Sequence, residues 1–436
     1  MVFGITFRGG FHVHGYKELT NTGKFVEVPA PKIVKIPLLQ HIGSPCNPVV
    51  KKGDEVKVGQ LIGESTGVIS SNIHSSVSGV VLKVEKSHTS RGNVMTVFIE
   101  NDELYTLGFE KLNRKLDELS SEEIVHIVEK SGITGMGGAS FPTQVKLNPP
   151  KEKKIDSVIV NAAECEPYLT ADDTLLRNYT SEVIEGLKAA MKAVSANDGY
   201  ITIEDNKPEA INELKKALEN ESIKLVVVKT KYPQGDEKRI IDATLRREVP
   251  SGGLPADVGV VVINAATAYA INNAVYHDIP LYERLVTFTG HSMNNPQNGM
   301  VKIGTPIIDA VNFVGGFKDD LGKVILGGPM MGLTQADVEI PLEKANNGVT
   351  AFTEAETIFA DPDPCIRCGK CTEVCPVHLQ PFNLENLVNL DLIDDAKQSH
   401  IMDCVECGSC SFICPAHRHL VETIRIGKNQ VRKMGK

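Results

Sequence analysis

The chain has 436 residues and a net charge of −9 at pH 7, and its one short basic run is the tail Arg425–Lys436. This length predicts about three domains of roughly 150 residues each. A hydrophobic content of 42% and a charged content of 23% are typical of globular proteins. The acidic balance disfavours nucleic acid as a partner.

Two further classes are disfavoured by the apolar pattern and the cysteines. Met1–Gly10 has no long apolar core, which predicts no signal peptide. The longest apolar stretch, Val258–Val275, is interrupted by several polar residues, so we expect no membrane-spanning segment. Eight of the ten cysteines lie in two runs near the C-terminus. This clustering predicts metal-bound thiolates in a reducing compartment rather than a disulfide scaffold.

The first part of the chain, residues 1–101, is rich in Val, Ile, Gly and Pro and predicts short strands. VKKGDEVKVGQLIG at Val50–Gly63 and IHSSVSGVVLKV at Ile73–Val84 resemble the two halves of a biotinyl/lipoyl-type β-sandwich. The segment that would present the modified lysine of that family, Glu64–Asn72, contains no Lys. We therefore expect a structural or docking module rather than a swinging carrier.

A polar linker at 104–120 leads to a helix at 120–131, for which Ser120 or Ser121 is the predicted N-cap. The helix runs into a glycine-rich loop, GITGMGGASFPTQVK, at Gly132–Lys146. This glycine density lets the backbone approach a flat or anionic ligand and point its N–H groups at it. The loop is not a Rossmann fingerprint, because a helix precedes it and Ser140 replaces the third glycine.

Strands and helices then alternate, which predicts a parallel sheet with crossover helices. The strands are predicted at 155–160, 199–204, 223–229 and within 257–266, and the helices at 171–195, 208–220, within 232–247 and from near residue 267. Glu164 and Glu166 follow the first strand, and Asn264 and Thr267 follow the last. Polar residues at such carboxyl ends are where open α/β sheets bind ligands.

The region after residue 280 predicts short strands at 285–289, 300–303 and 324–326, followed by a tight turn at 327–329. We interpret this turn as structural, with a docking surface toward the cysteines as the alternative. Residues 348–364 are predicted to be a linker. A helix is predicted at 382–396, between the cysteine runs, and another after Pro415.

The two cysteine runs, CIRCGKCTEVCP at Cys365–Pro376 and CVECGSCSFICP at Cys404–Pro415, share the spacing C-x2-C-x2-C-x3-C-P. This spacing is typical of two-cluster [4Fe–4S] ferredoxins, in which the fourth Cys of each run ligates the other cluster. Zinc sites more often use pairs of ligands. We therefore predict one cluster on Cys365, Cys368, Cys371 and Cys414 and a second on Cys404, Cys407, Cys410 and Cys375. The apolar neighbours Ile366, Val374, Val405 and Ile413 are expected to exclude water.

Several motifs carry a family resemblance. SGITGMGGASFPTQVKL, VNAAECEP, YPQGDEKR and VINAAT resemble, in this order, the flavin-binding subunit of respiratory complex I. With GGFHVHGYKELT, LLQHIGSPCNPVVKKGDEV and GGPMMG, nearly the whole chain resembles the C subunits of Rnf complexes. This resemblance implies a multidomain protein of α/β and β modules. These are an N-terminal barrel-sandwich hybrid (1–103), a Rossmann-like α/β domain for FMN and NADH (118–278), an SLBB-type β-grasp module (280–340) and a helical two-cluster ferredoxin-like domain (350–436).

The resemblance also implies the ligand-binding residues. Those implied for FMN are Gly135, Gly137, Gly138, Lys146, Asn161, Glu164, Asn264 and Thr267. Those implied to face the nicotinamide nucleotide are Phe141, Glu166, Asp236 and Glu237. The chain departs from the complex I pattern at Pro149, which replaces an aromatic residue, and at Ala163, which replaces an aspartate.

The expected cofactors differ in how many electrons they exchange at a time. NAD(H) exchanges two electrons together, a cubane cluster exchanges one, and a flavin does both. We therefore expect a path between NAD(H), FMN, the two clusters and a partner protein, with no catalytic residue beyond the cofactors. The resemblance implies that the partners are membrane subunits that couple ferredoxin–NAD electron flow to Na⁺ or H⁺ translocation. It further implies a peripheral position on the cytoplasmic face of the cell membrane.

Two alternatives remain at this point. A cobalamin reductase of the propanediol-utilisation type shares these modules, but its sandwich is expected at the C-terminus rather than at the start. A non-enzymatic iron–sulfur scaffold that has lost its flavin is the second alternative. The intact glycine loop, Lys146 and Glu164 argue against it, whereas Pro149 favours it.

Overall fold

The structure is a computed structural model that describes residues 5–434. The first four residues of the predicted strand-rich segment, and Gly435 and Lys436 of the basic tail, lie outside the described residues. The strands are β1 Phe25–Val28, β2 Ile33–Pro37, β3 Asn47–Pro48, β4 Glu55–Val56, β5 Leu61–Glu64, β6 Ile73–His74, β7 Gly79–Thr89, β8 Gly92–Asn101, β9 Ser157–Ala162, β10 Asp198–Glu204, β11 Lys224–Val228, β12 Val260–Asn264, β13 Glu283–Thr289, β14 Gln297–Lys302, β15 Leu321–Leu326, β16 Leu333–Gln335 and β17 Gly348–Thr353. The α-helices are α1 Ser121–Lys130, α2 Thr143–Lys146, α3 Ala171–Asn178, α4 Thr180–Ala193, α5 Pro208–Ala217, α6 Glu237–Leu245, α7 Ala265–His277, α8 Ile307–Phe313, α9 Lys370–Glu373, α10 Pro381–Asn389, α11 Ile393–Gln398, α12 Ser409–Phe412 and α13 Leu420–Met434.

The N-terminal module is a sandwich of two antiparallel sheets, ordered β2-β8-β7-β4 and β3-β5-β6. Buried aliphatic residues from both sheets, including Val34, Ile62 and Ile99, form one core between them. This core agrees with the strand-rich interpretation of the first hundred residues. The long hairpin of β7 and β8 carries most of the pairing.

The second module has a four-stranded parallel sheet in the order β11-β10-β9-β12. Helices α1, α3, α4, α5 and α7 contribute to the core on one face, and α6 covers the other face with Ile240 and Ile241. Burial on both faces explains why β9 and β12 are nearly continuous runs of Val and Ile. The predicted parallel sheet with alternating strands and helices is therefore confirmed.

The predicted single helix at 171–195 is wrong. It is two helices, α3 and α4, separated at Tyr179, whose φ of −133° and ψ of 40° lie outside the helical region. After the break, α4 packs mainly along α7, whereas α3 packs mainly on α5 and also contacts α7 and β13. Tyr179 packs against Tyr269 and Phe25 at the break.

The third module is a six-stranded mixed sheet in the order β1-β14-β13-β17-β15-β16. The predicted linker at 348–364 is wrong in its first part, because Gly348–Thr353 is the strand β17 between β13 and β15. Its Val349 and Ala351 are fully buried, and this apolar contact stabilises the segment as a strand. The edge strand β1 comes from the start of the chain and pairs in parallel with β14.

The C-terminal module is helical, as predicted. The predicted helix at 382–396 is however two helices, α10 and α11, because Asp391 between them has a φ of 58°, in the left-handed region. Both helices pack against the long helix α13. Among the described helices, none combines the length and the apolar composition needed to cross a bilayer.

A close helix contact in the second module gives a stability prediction. A methyl group at Gly186 in α4 would lie 1.8 Å from the carbonyl oxygen of Ala268 in α7. Gly186→Ala should force the helices apart at an overpacking cost of about 1–3 kcal/mol. Far-UV circular dichroism should show a thermal midpoint several degrees lower.

The matched control is Gly67→Ala, since a methyl group at Gly67 would meet its nearest atom, Ser44 Oγ, at 3.7 Å. This control should keep the native midpoint. Equal midpoints for Gly186→Ala and the native protein would show that the two helices are not in close contact.

Candidate functional site

Two adjacent strands of the parallel sheet, β9 and β12, bring the predicted polar residues together where their carboxyl ends meet. Asn161 in β9 is in register with Asn264 in β12, so the two amides lie side by side where the strands end. Asn264 also caps α7, because its Oδ1 accepts from the Ala266 N–H at 2.9 Å. The predicted start of α7 near Thr267 therefore moves to Ala265.

The glycine loop lies directly over this edge. A methyl group at Gly137 would approach the Asn264 side-chain nitrogen to 2.7 Å, so only glycine permits this contact. The Met136 N–H donates to Thr267 Oγ1 at 3.0 Å, and the Gly135 N–H closes the loop on the Phe141 carbonyl at 2.8 Å. Gly138, by contrast, faces open space with no atom within 4 Å of a methyl group at that position. The loop therefore presents an open, side-chain-free backbone above the strand ends.

A second group of predicted residues lies on the β9–α6 side of the edge. Lys146 Nζ donates to the Val262 carbonyl at 3.1 Å and forms an ion pair with Glu237 at 2.5 Å. Asn161 Nδ2 donates to the Gly235 carbonyl at 2.8 Å. Asp236 caps α6 by accepting from the Arg239 N–H at 3.1 Å, and burial raises the pKa of Asp236.

The two glutamates that follow β9 diverge. Glu164 accepts from the N–H groups of Asp172 at 2.7 Å and Asp173 at 3.3 Å, so it stabilises the start of α3. Glu166 turns to the 327–332 loop, where the N–H groups of Met330 and Met331 donate to its carboxylate at 3.1 and 2.8 Å. Burial raises the pKa of both carboxyl groups, that of Glu166 to about 7.

The 327–329 turn therefore does more than reverse the chain. A methyl group at Gly328 would lie 2.3 Å from Glu166 Oε2, so glycine is required for the loop to cover this carboxylate. A methyl group at Gly408, which precedes α12, would lie 3.0 Å from the Met330 carbonyl. The turn thus lies between the strand end and the cysteine-rich module, and this position favours the docking alternative over a purely structural turn.

The sequence did not point to two lysines beneath the strand end, the half-buried Lys17 and the buried Lys207. Lys17 Nζ donates to the carbonyls of Glu164, Glu166 and Leu169 at 2.8, 3.0 and 2.6 Å. Lys207 Nζ donates to the Ala163 carbonyl at 2.6 Å. Burial, followed by the neighbouring charge of Lys207, lowers the pKa of Lys17. Lys17 lies in the GGFHVHGYKELT motif, but nothing in that motif indicates this role, and Lys207 belongs to none of the motifs quoted above.

The eight predicted cluster cysteines form two pockets with the predicted grouping. Cys365, Cys368, Cys371 and Cys414 line one, which we call the outer pocket. Cys375, Cys404, Cys407 and Cys410 line the other, the inner pocket. Among residues 5–434, no three Cys, His, Asp or Glu side chains are placed to share a single metal ion. The thiols of each pocket instead surround a space that apolar residues also line, such as Phe382 and Leu379, and this donor set fits a cubane cluster.

The apolar surroundings of the two pockets differ from the expectation at one residue. Val374 is buried, and Val405 and Ile413 are half-buried. Ile366 is 68% exposed, so the prediction that it excludes water is wrong. It lies in the turn after Cys365, where the outer pocket meets the surface, and no other element covers it. Backbone N–H groups donate to Cys365, Cys375 and Cys404 sulfurs at 3.3–3.4 Å.

Family models match four consecutive parts of the chain. They are an RnfC barrel-sandwich hybrid domain at 5–104, a Nuo51 FMN-binding domain at 128–273, an SLBB domain at 285–334 and a 4Fe-4S dicluster domain at 357–415. The order confirms the predicted fold class. The FMN and iron–sulfur matches also confirm the predicted cofactor classes.

Two relatives match this chain over nearly their whole length. The chain is 47% identical to the C subunit of the Na⁺-translocating ferredoxin:NAD⁺ oxidoreductase complex of Acetobacterium woodii, over 98% of this chain and 97% of the relative. The chain belongs to the family of Rnf complex C subunits. It is also 45% identical to the proton-translocating counterpart of Clostridium ljungdahlii, over 99% and 95% of the two chains. The family assignment confirms the resemblance read from the sequence and favours it over a cobalamin reductase.

Similarity among solved structures is confined to the fold. A NAD⁺-reducing [NiFe]-hydrogenase in its air-oxidised state matches with a TM-score of 0.50 at 18% identity. The match covers 66% of this chain and 55% of the hydrogenase chain.

The environment of Glu166 predicts a pH dependence of stability. Its pKa of about 7 in the folded protein lies above the ordinary 4.5, so the folded state binds this proton more tightly than the unfolded state. Stability must then fall as the pH rises from about 4.5 to about 7. Glu166→Gln removes this contribution, and its thermal midpoint should fall less across the same window.

Thermal unfolding at several pH values checks this difference. The exposed Glu219→Gln is the matched control and should follow the native profile. A Glu166→Gln profile parallel to the native one would contradict a raised pKa at this carboxyl group.

Proposed function

We propose that the chain is the subunit through which an ion-translocating ferredoxin:NAD⁺ oxidoreductase complex exchanges electrons with NAD(H). The observation that carries the proposal is the presence, in one chain, of a glycine-covered strand edge within the FMN-domain match and two four-cysteine pockets within the dicluster match. A flavin joins two-electron to one-electron chemistry, which these two sites require between them.

The proposed FMN site is the edge beneath the glycine loop. Gly138 offers open backbone, Gly137 permits the loop to approach Asn264, and Thr267 fixes the loop from below. Lys146 supplies positive charge at the same edge, although it is paired with Glu237. Gly135, Asn161 and Glu164 complete the proposed set through the contacts described above.

The proposed nicotinamide side comprises Phe141, Glu166, Asp236 and Glu237. Asp236 and Glu237 lie together at the start of α6, beside Lys146. The role of Glu166 stays a prediction, because its carboxylate already accepts hydrogen bonds from the 327–332 loop. The work of these residues is to bind and orient, and no side chain here needs to act as a general base.

The proposed clusters use the cysteine grouping of the two pockets. The outer set is Cys365, Cys368, Cys371 and Cys414, and the inner set is Cys375, Cys404, Cys407 and Cys410. Backbone N–H groups that donate to the sulfurs are one of the means by which proteins tune cluster potentials.

The proposed partners are the membrane subunits of the complex. The Acetobacterium relative is named for Na⁺ and the Clostridium relative for protons, and we propose that the partner subunits perform such a translocation. We propose a peripheral position on the cytoplasmic face, because cluster thiolates and NAD(H) are suited to a reducing compartment.

Anaerobically purified protein tests the function directly. It should release FMN on denaturation, and NADH should bleach the visible absorbance of its clusters. Dithionite reduces the clusters directly and so sets the full amplitude of the absorbance change. Absence of FMN, or clusters that dithionite bleaches and NADH does not, would contradict the proposed function.

Lys146→Ala tests the flavin site separately. It removes the cation at the strand edge and should lower the FMN content while iron stays near about eight atoms per chain, four for each cubane. The matched control is Lys153→Ala, which removes a surface cation paired with Asp257 outside the site and should retain FMN. Loss of iron together with FMN in Lys146→Ala would show that the modules do not hold their cofactors independently.

A further inference from the structure

The two cysteine pockets have different surroundings. In the outer pocket, Cys365 and Cys368 are exposed, and Ile366 between them is also exposed. In the inner pocket, Cys375, Cys407 and Cys410 are only 7–8% exposed and Cys404 is half-buried, whereas in the outer pocket only Cys371, at 8%, is as well buried. The sequence gives no such difference, since both runs have the same spacing.

Three segments from other parts of the chain pack against the inner pocket, and the first contains Tyr232. Its hydroxyl donates to the Cys407 carbonyl at 2.8 Å, and the residue is 1% exposed. Three residues later, Gly235 accepts from Asn161 Nδ2 at 2.8 Å and donates its N–H to Cys165 Sγ at 3.2 Å. The 232–236 loop therefore spans from the β9 strand end to a cysteine of the inner pocket.

The second segment that packs against the inner pocket is the 327–332 loop. Its Met330 N–H donates to Glu166 at 3.1 Å, and its Met330 carbonyl lies against Gly408, next to Cys407. Gly408 has a φ of 76°, and any side chain there would crowd this contact. A second set of contacts thus joins the β9 strand end to the inner pocket.

The third segment that packs against the inner pocket is the N-terminal one. The Gly10 N–H donates to the Val374 carbonyl at 2.9 Å, and a methyl group at Gly9 would lie 2.6 Å from the Cys375 carbonyl. Phe11 contacts Tyr232 edge to face and stacks on Phe412 at 5.1 Å between ring centroids. All three segments contact the inner pocket, and the residues that line the outer pocket make none of these contacts.

We propose that the cluster of the inner pocket stands between the flavin and the cluster of the outer pocket, and that Tyr232 is the positioning residue that holds the inner pocket against the β9 strand end. This proposal rests on the proposed function for the exchange of electrons with NAD(H), and the step is written here in the direction of NADH oxidation. Oxidation of one NADH to NAD⁺ releases two electrons and one proton. The two electrons would leave the flavin domain one at a time, pass through the inner cluster to the outer one, and reduce two one-electron acceptors in turn at the exposed Cys365–Cys368 surface.

The burial order can be tested without NADH or FMN. In dithionite-reduced holoprotein, Cys365→Ser and Cys404→Ser assign the two cluster EPR signals, by a shifted signal or by the loss of one cluster. A dysprosium chelate added to the native protein should then speed the relaxation of the signal assigned to Cys365 more than that assigned to Cys404. Equal or reversed enhancement would overturn the order.

Tyr232→Phe tests the positioning role. The hydroxyl directs the positive end of its dipole at the Cys407 carbonyl, so its loss should make reduction of the inner cluster harder. A redox titration followed by EPR should show a lower potential for the inner cluster and an unchanged potential for the outer one. Tyr276→Phe is the matched control, since it deletes a hydroxyl that bonds Glu185 at 2.8 Å in the flavin domain, and both potentials should stay native.

The outcomes separate the two proposals. If NADH reduces neither cluster of the native protein, the proposed function fails, and the dysprosium experiment still decides the burial order. If the inner cluster is lost and NADH still reduces the outer cluster at the native rate, the electron order is overturned. Unchanged potentials in Tyr232→Phe would overturn the role given to Tyr232.

Discussion

A single ammonium group, Lys17 Nζ, holds the backbone on which the candidate flavin site is built. It donates to three carbonyls between residues 164 and 169, and these use all three of its N–H donors. Glu164 and Tyr168 in this segment have φ values of 46° and 70°, in the left-handed region that costs energy for residues other than glycine. Such a conformation persists only when its surroundings fix it, and the lysine supplies that constraint.

Because Lys17 lies near the start of the chain, the site depends on the N-terminal segment as well as on the flavin domain. The same segment pairs Ile5 with Val228 at the edge of the parallel sheet, contacts the inner pocket at Gly9 and Gly10, and adds β1 to the six-stranded sheet. Three modules therefore share one stretch of about twenty residues. Their relative positions, on which any transfer of electrons between sites depends, are set by contacts that no single module contains.

The local features of the site were predictable from the sequence for physical reasons. Cysteine spacing decides which thiols can surround one pocket, and the carboxyl ends of parallel strands meet at one edge, which brought Asn161 and Asn264 together. Long-range features were not predictable. Lys17 and Tyr232 bond to residues at least 147 and 175 positions away in the sequence, respectively, and neither belongs to a spacing pattern that indicates this role. The strand β17 was missed because its neighbours in the sheet lie far from it in sequence and a proline-rich stretch follows it.

The charge arrangement beneath the strand end suits a site that gains and loses electrons. Adding an electron to a buried cofactor adds negative charge where solvation is poor, so a nearby buried cation stabilises the reduced form. Lys207 and Arg284 are buried here and Lys17 is half-buried, among the carboxyl groups Glu164, Asp172 and Glu204, whose pKa values burial raises. The carboxyl groups partly offset the cations, and they do so less when protonated. The reduction potential of a flavin bound at the proposed site would therefore be linked to residues that need not touch it, such as Lys17, which contacts the backbone of both Glu164 and Glu166.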